Sequence, residues 1–250
     1  MTSLRQIALA TLAAPLALGL AACGSEPAAE GEAPAGDPVA PVEAPAGTEW
    51  VDMVQVTEQD GYLLGNPDAP IKLLEYASLT CPHCATFAQQ GMEPLKEKYI
   101  STGVVSYELR NQIHGPHDLV LARLVRCGAK EAYHPLSEQV WANLQAVLQP
   151  VFDNQDAVQQ AMSLPPEQRF VAFADVAGFY DFFAARGLSR DQARQCLSDP
   201  KAMETIATNS ETQSEELNVT GTPTFFINGR NVGTQSWPTL EPMLQAAGAR

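Results

Sequence analysis

The chain has 250 residues, 45% of them hydrophobic and 18% charged, which is enough apolar side chain for one sizeable core. Fifteen Lys and Arg stand against 29 Asp and Glu, a formal net charge of −14. Such an excess of acid argues against nucleic acid or anionic lipid headgroups as ligands of the folded part.

Arg5 precedes an apolar run over residues 7–20, and small residues lead up to Cys23. This order predicts a secretory signal over residues 1–22, with an apolar stretch too short to span a membrane. Leu20, Ala21, Ala22 and Cys23 also resemble a bacterial lipobox, which implies cleavage before Cys23 and lipid attachment to its thiol. The alternative is an ordinary signal with a coincidental cysteine. Residues 24–49 are mostly Ala, Pro, Gly and acid, with EAPAG occurring twice. They read as a disordered spacer that reaches roughly 80 Å at about 3.1 Å per residue. Residues 50–250 are then expected to fold as one domain.

Within that domain, β-favouring residues flank a turn at Asp60 and Gly61, and the breaker-rich stretch 65–70 follows. The apolar run 71–78 predicts a buried central strand. Cys81 comes where that strand gives way to a helix reaching about Lys98, and Pro82 takes the first helical position, where its missing N–H costs nothing. Residues 103–112 read as the next strand. From about residue 116 to 217 the apolar spacing is three and four, so a block of helices is expected, with Gly187 closing one and a Ser189–Gln192 capping box opening the next. Residues 224–227, a turn at Asn228 and Gly229, a short strand and a helix over about 239–247 complete the chain. The layout is β-α-β, a helical block, then β-β-α.

Two of the five cysteines, Cys81 and Cys84, form a C-x-x-C at the predicted helix start. Free backbone N–H groups and the helix dipole there lower the first thiol's pKa, while the second is placed to resolve a mixed disulfide. Cys81 is therefore the candidate nucleophile and Cys84 its resolving partner. His83, if protonated, adds charge and a donor near the Cys81 sulfur, stabilising the thiolate and making the pair an oxidant. A half zinc site is the bland reading, but a second C-x-x-C or H-x-x-x-H is missing from the sequence. His114, His117 and His134 read as surface or capping residues, and residues 179–185 as core packing. No metal and no cofactor beyond the redox-active disulfide are expected.

The segment LLEYASLTCPHC, with GTPTFFING more than a hundred residues later, resembles the DsbA-like thiol oxidoreductases of the thioredoxin superfamily. The resemblance covers most of residues 65–229 and implies an α/β thioredoxin-like fold carrying a large helical insertion. It implies that Thr222 and Pro223 form the cis-proline loop that offers backbone to a bound peptide. It also implies that Glu75 is a buried acid exchanging a proton with Cys84; a partly exposed strand residue is the alternative. Cys127 and Cys196 are left as partners for each other, giving a structural disulfide as in some DsbA-like proteins, or else two unpaired buried thiols.

The resulting expectation is a monomeric bacterial lipoprotein outside the cytoplasmic membrane, with Gly24 after the lipidated cysteine favouring the outer membrane, that passes its disulfide to reduced or unfolded secreted proteins. Its implied reoxidant is a membrane partner of DsbB type. Two alternatives stand beside it: a reductase or isomerase kept reduced by a membrane donor, which Thr222 favours, and a tethered metal-binding module using the CPHC side chains.

Overall fold

The computed structural model describes Gly31 and residues 34–250. Cys23 and the expected signal over residues 1–22 lie outside the described residues. A six-stranded sheet forms the centre, in the order β1-β2-β4-β3-β5-β6. Its strands are β1 (Val54–Val56), β2 (Tyr62–Leu64), β3 (Ile71–Ala77), β4 (Val105–Asn111), β5 (Thr224–Ile227) and β6 (Arg230–Gly233). Only β3 and β4 run parallel, joined by α1 (Pro82–Leu95), while β5 lies antiparallel on the other side of β3 with Tyr76 opposite Thr224. A crossover helix of this kind necessarily starts at the C-terminal end of its first strand, so the sequence order alone carries Cys81 to the upper edge of the sheet. Antiparallel pairing then returns the start of β5 to the same edge.

Ile71, Leu73, Tyr107, Phe225 and Ile227 of the sheet pack against Phe87, Met92 and Leu95 of α1 and against Leu240 and Leu244 of α10 (Trp237–Ala246). Each such side chain, fully buried, contributes about 1.5–3 kcal/mol. Ser236 caps α10 reciprocally with Thr239, so the helix begins two residues before the expected start at 239.

The helical block follows the sequence reading closely. It comprises α2 (Pro116–Val125), α3 (Tyr133–Ala142), α4 (Leu144–Asp153), α5 (Gln155–Met162), α6 (Pro166–Val176), α7 (Phe179–Ala184), α8 (Arg190–Leu197) and α9 (Pro200–Glu216). Leu121, Leu124, Phe173, Phe179, Phe183, Leu197 and Met203 belong to the same apolar cluster as the sheet, so block and frame share one core. The Ser189–Gln192 capping box is present, and the N–H groups of Gly187 and Leu188 close α7 on the carbonyls of Ala184 and Phe183. Cys127 and Cys196 are joined by a disulfide with Cα atoms 6.0 Å apart, clipping the end of α2 to α8.

Two expectations are corrected. Part of the stretch read as a free spacer lies on the domain: the N–H groups of Gly36, Val39 and Val42 donate to the carbonyls of Ala246, Gly248 and Thr102 at 2.8–2.9 Å. Trp50 Nε1 donates to the Val42 carbonyl at 2.7 Å, completing a strap over the end of α10. Composition missed it because its bonds are made by backbone, and its fit depends on the absence of a side chain: a Cβ on Gly36 would meet the Ala247 carbonyl oxygen at 2.4 Å. His134 is likewise no surface residue, being buried between Tyr107 and Tyr133, where burial, assisted by the charge of Lys96, pushes its pKa down to about 3. Among the described residues no helix is long and apolar enough to cross a membrane.

Candidate active site

Cys81 is the extended N-cap residue of α1, with Pro82 in the first turn, so the main-chain N–H groups of that turn point towards its sulfur. Cys81 and Cys84 are free thiols in this structure; Cys81 is 7% exposed and Cys84 fully buried. The Cys81 pKa is lowered to about 5, first by the Cys84 thiol donating to its sulfur, with further help from the Thr222 side chain and the N–H groups of Cys84 and His83; burial opposes them. The Cys84 pKa is pushed up by burial, by its hydrogen bond to Cys81 and by the charges of Glu75 and Cys81. Two cysteines of one turn are thus split into a thiolate and a thiol by their surroundings. The His83 side chain is exposed, and the donor this residue contributes to the sulfur is its backbone N–H, one of the free helix-start groups expected from the sequence, in place of the imidazole.

Across from Cys81 lies the loop before β5. The Thr222–Pro223 peptide bond is cis, and the Thr222 carbonyl oxygen lies 3.3 Å from Cys81 Sγ, where it accepts from the sulfur when Cys81 is protonated. Two depressions flank the motif. A cleft of about 150 Å³ is bounded by His83, Phe87 and Pro223. A groove of about 940 Å³ runs from Thr80, Pro82 and Thr86 to Trp141, Leu148 and the exposed Phe152.

Glu75, on β3, is 1% exposed, which settles its expected burial. Burial raises its carboxyl pKa to about 8; the Tyr107 hydroxyl, donating to Oε2 at 2.6 Å, works against that, and the charge of Cys81 adds to it. Tyr107, Asp118 and His114 were not among the expected site residues. Asp118 is fully buried on α2, where it accepts from the Ser78 hydroxyl at 2.6 Å and from the N–H groups of Leu79 and His114 at 2.9 Å. An acid in the first turn of a helix reads as a dipole partner. Its reach back to Ser78 is a long-range contact with no local signature. Among the described residues no group of three or more His, Cys, Asp and Glu side chains is placed to hold a metal ion.

A family model described as thioredoxin matches residues 57–246. The chain belongs to the thioredoxin family. Within that family its likeness runs to DsbA-type proteins. A Bordetella pertussis thiol:disulfide interchange protein DsbA is 26% identical over 175 residues, covering 68% of this chain and 71% of that one. A Rickettsia conorii protein, provisionally named a protein-disulfide oxidoreductase, is 27% identical over 191 residues, 76% of this thioredoxin-family chain and 61% of its own length. The chain spans 56–61% of the length of its curated rickettsial relatives. Among solved structures, a protein-disulfide isomerase from Novosphingobium aromaticivorans superposes with a TM-score of 0.71 at 31% identity, covering 76% of this chain and 98% of that one. Wolbachia pipientis alpha-DsbA1 gives 0.61 at 27% identity, with 74% and 89% covered.

Proposed function

We propose that this protein is an extracytoplasmic thiol:disulfide oxidoreductase, lipid-anchored through Cys23, that donates the Cys81–Cys84 disulfide to reduced secreted chains. The observation that carries the reading is the placement of the Cys81 sulfur at the N-terminus of α1, beside the Cys84 thiol and the cis Thr222–Pro223 loop, where its pKa is lowered to about 5. At neutral pH that shift favours the reduced form and so makes the disulfide more oxidising than a pair of ordinary thiols would be.

In the reaction a substrate thiolate attacks Cys81 Sγ of the disulfide, and Cys84 leaves. Glu75, largely protonated at neutral pH, gives its proton to the departing Cys84 sulfur. A second substrate thiolate then attacks the substrate sulfur of the mixed disulfide and expels Cys81 as a thiolate. The substrate dithiol loses two electrons to become a disulfide, the protein disulfide gains them, and one proton remains on Cys84. Thr222 and Pro223 offer backbone to the bound peptide beside Cys81. The redox group is the disulfide itself, and a membrane partner of DsbB type takes the electrons away.

A reductase or isomerase is the second reading, favoured by Thr222 before the cis-proline and by the name of the Novosphingobium structure. Equilibration of Cys81–Cys84 with glutathione buffers separates the two. A potential near about −120 mV marks a disulfide donor, whereas one near about −270 mV marks an electron carrier and overturns the reading. Activity that persists in excess chelator sets both apart from a metal-binding module.

A further inference from the structure

The buried acid of α2 is not used by the reaction above, yet its three hydrogen bonds go to both walls of the site. Two of its donors, the Ser78 hydroxyl and the Leu79 N–H, lie in the turn leading into Cys81. The same Ser78 accepts from the Cys81 N–H at 3.3 Å and from Trp141 Nε1 at 3.0 Å through its carbonyl, so this turn is held from the helical block as well. The third donor, the His114 N–H, lies in the loop between β4 and α2. That loop is fixed by the bonds from Gln112 N–H to Ala77 and from Ile113 N–H to Ser210, and His114 Nε2 lies 3.4 Å from Thr222 Oγ1. Thr222 in turn faces the Cys81 sulfur. A closed circuit results, running from Asp118 through Leu79 to Cys81, across to Thr222, and back through His114.

We infer that Asp118 is a positioning residue for the redox centre, fixing the turn before Cys81 and the His114 rim at one spacing so that Thr222 stays on the Cys81 sulfur. The inference rests on Cys81 being the reactive thiolate. A carboxylate suits this place because it accepts on both oxygens, whereas the isosteric amide must turn an N–H towards one of three donors. The groups facing Asp118 are Ser78 and the Leu79 N–H from the turn and His114 from the loop; burial raises its carboxyl pKa to about 6 against their hydrogen bonds and the charge of His114, so at neutral pH it is mostly the carboxylate. The Cys81 sulfur is faced by Cys84, the His83 N–H and Thr222.

The test is the thiolate absorbance of the reduced protein titrated at 240 nm in the unaltered chain, D118N, H114A and D118N/H114A, with the fold followed by circular dichroism. A band with a midpoint near 5 in the unaltered chain secures the underlying reading; its absence would remove that reading before the inference is reached. We expect D118N to shift the midpoint three- to tenfold in dissociation constant, the size of one altered hydrogen bond at the sulfur. We expect H114A to shift it less and in the same direction, and the double variant to match D118N alone, because both cut one circuit. A D118N midpoint equal to that of the unaltered chain in a folded protein, or shifts that simply add, would overturn the inference. Where D118N does not fold, S78A and H114A carry the same comparison, and no movement in either is the overturning result.

Discussion

Glu75 shows how one residue's setting can matter more than its identity. Its Oε2 takes the Tyr107 hydroxyl, while its Oε1 is buried with no hydrogen-bond partner among the described residues. A carboxyl with one bare buried oxygen favours its neutral form, hence the pKa of about 8. A folded-state pKa raised above the ordinary 4.5 gives a contribution to stability that is complete below about pH 4.5 and lost as the pH rises through 8. Glu75→Gln keeps the acceptor for Tyr107 and removes the ionisation. The variant should therefore gain about 3 kcal/mol over the parent at pH 7 and almost nothing at pH 4, read by urea unfolding. Its thiol exchange should slow on the order of a hundredfold as the proton donor to Cys84 is lost. An equal stability gain at both pH values would mean that the carboxyl is not charged at neutral pH in the unfolded chain alone, and would remove the argument. The sequence named Glu75 through family resemblance; its unpaired oxygen and Tyr107 became visible only once β3 and β4 were paired in register.

At the scale of elements, the helical block is clipped and pinned to the frame. The disulfide closes a loop of 69 residues, which in the chain-entropy model stabilises by about 4 kcal/mol. Cys127→Ser with Cys196→Ser should lower urea stability by roughly that amount, measured with the Cys81–Cys84 pair in one redox state, and should leave the Cys81 midpoint in place. A matching change in that midpoint would show that the clip acts on the site. Arg126 provides the second attachment: it pairs with Asp60 at 2.9 Å, bonds Asn111, and lies over the stacked rings of Tyr62 and Tyr133. The helices themselves were legible from three-and-four spacing, and α8 from its capping box, because these signals are local. The attachments were not, since Asp60 and Tyr62 lie more than sixty residues before Arg126 and meet it only in the folded chain.

For the molecule as a whole, the strap changes how far the domain can stand from an anchor. If Cys23 carries the lipid, the docking of residues 36–42 leaves less chain between that anchor and the domain than a spacer running to residue 49 would provide. Gly36→Val forces a Cβ against the Ala247 carbonyl and should release the strap. Hydrogen exchange at the Val39 and Val42 amides should then approach that of an open chain, while thiol exchange with a small soluble disulfide stays as it was. Retained protection at both amides would show that the strap does not depend on that close approach.

The sequence by itself determined the order of the elements, the C-x-x-C at a helix start and the helical block, because periodicity, capping and helix-end chemistry act over a few residues. It also singled out the cysteines that pair, because few were available. Tertiary structure decided which groups face the Cys81 sulfur, that Glu75 and Asp118 are desolvated, that His134 is buried, and that residues 36–42 lie on the domain. Those outcomes depend on burial and on contacts between distant residues, and neither is written in any short stretch of the chain.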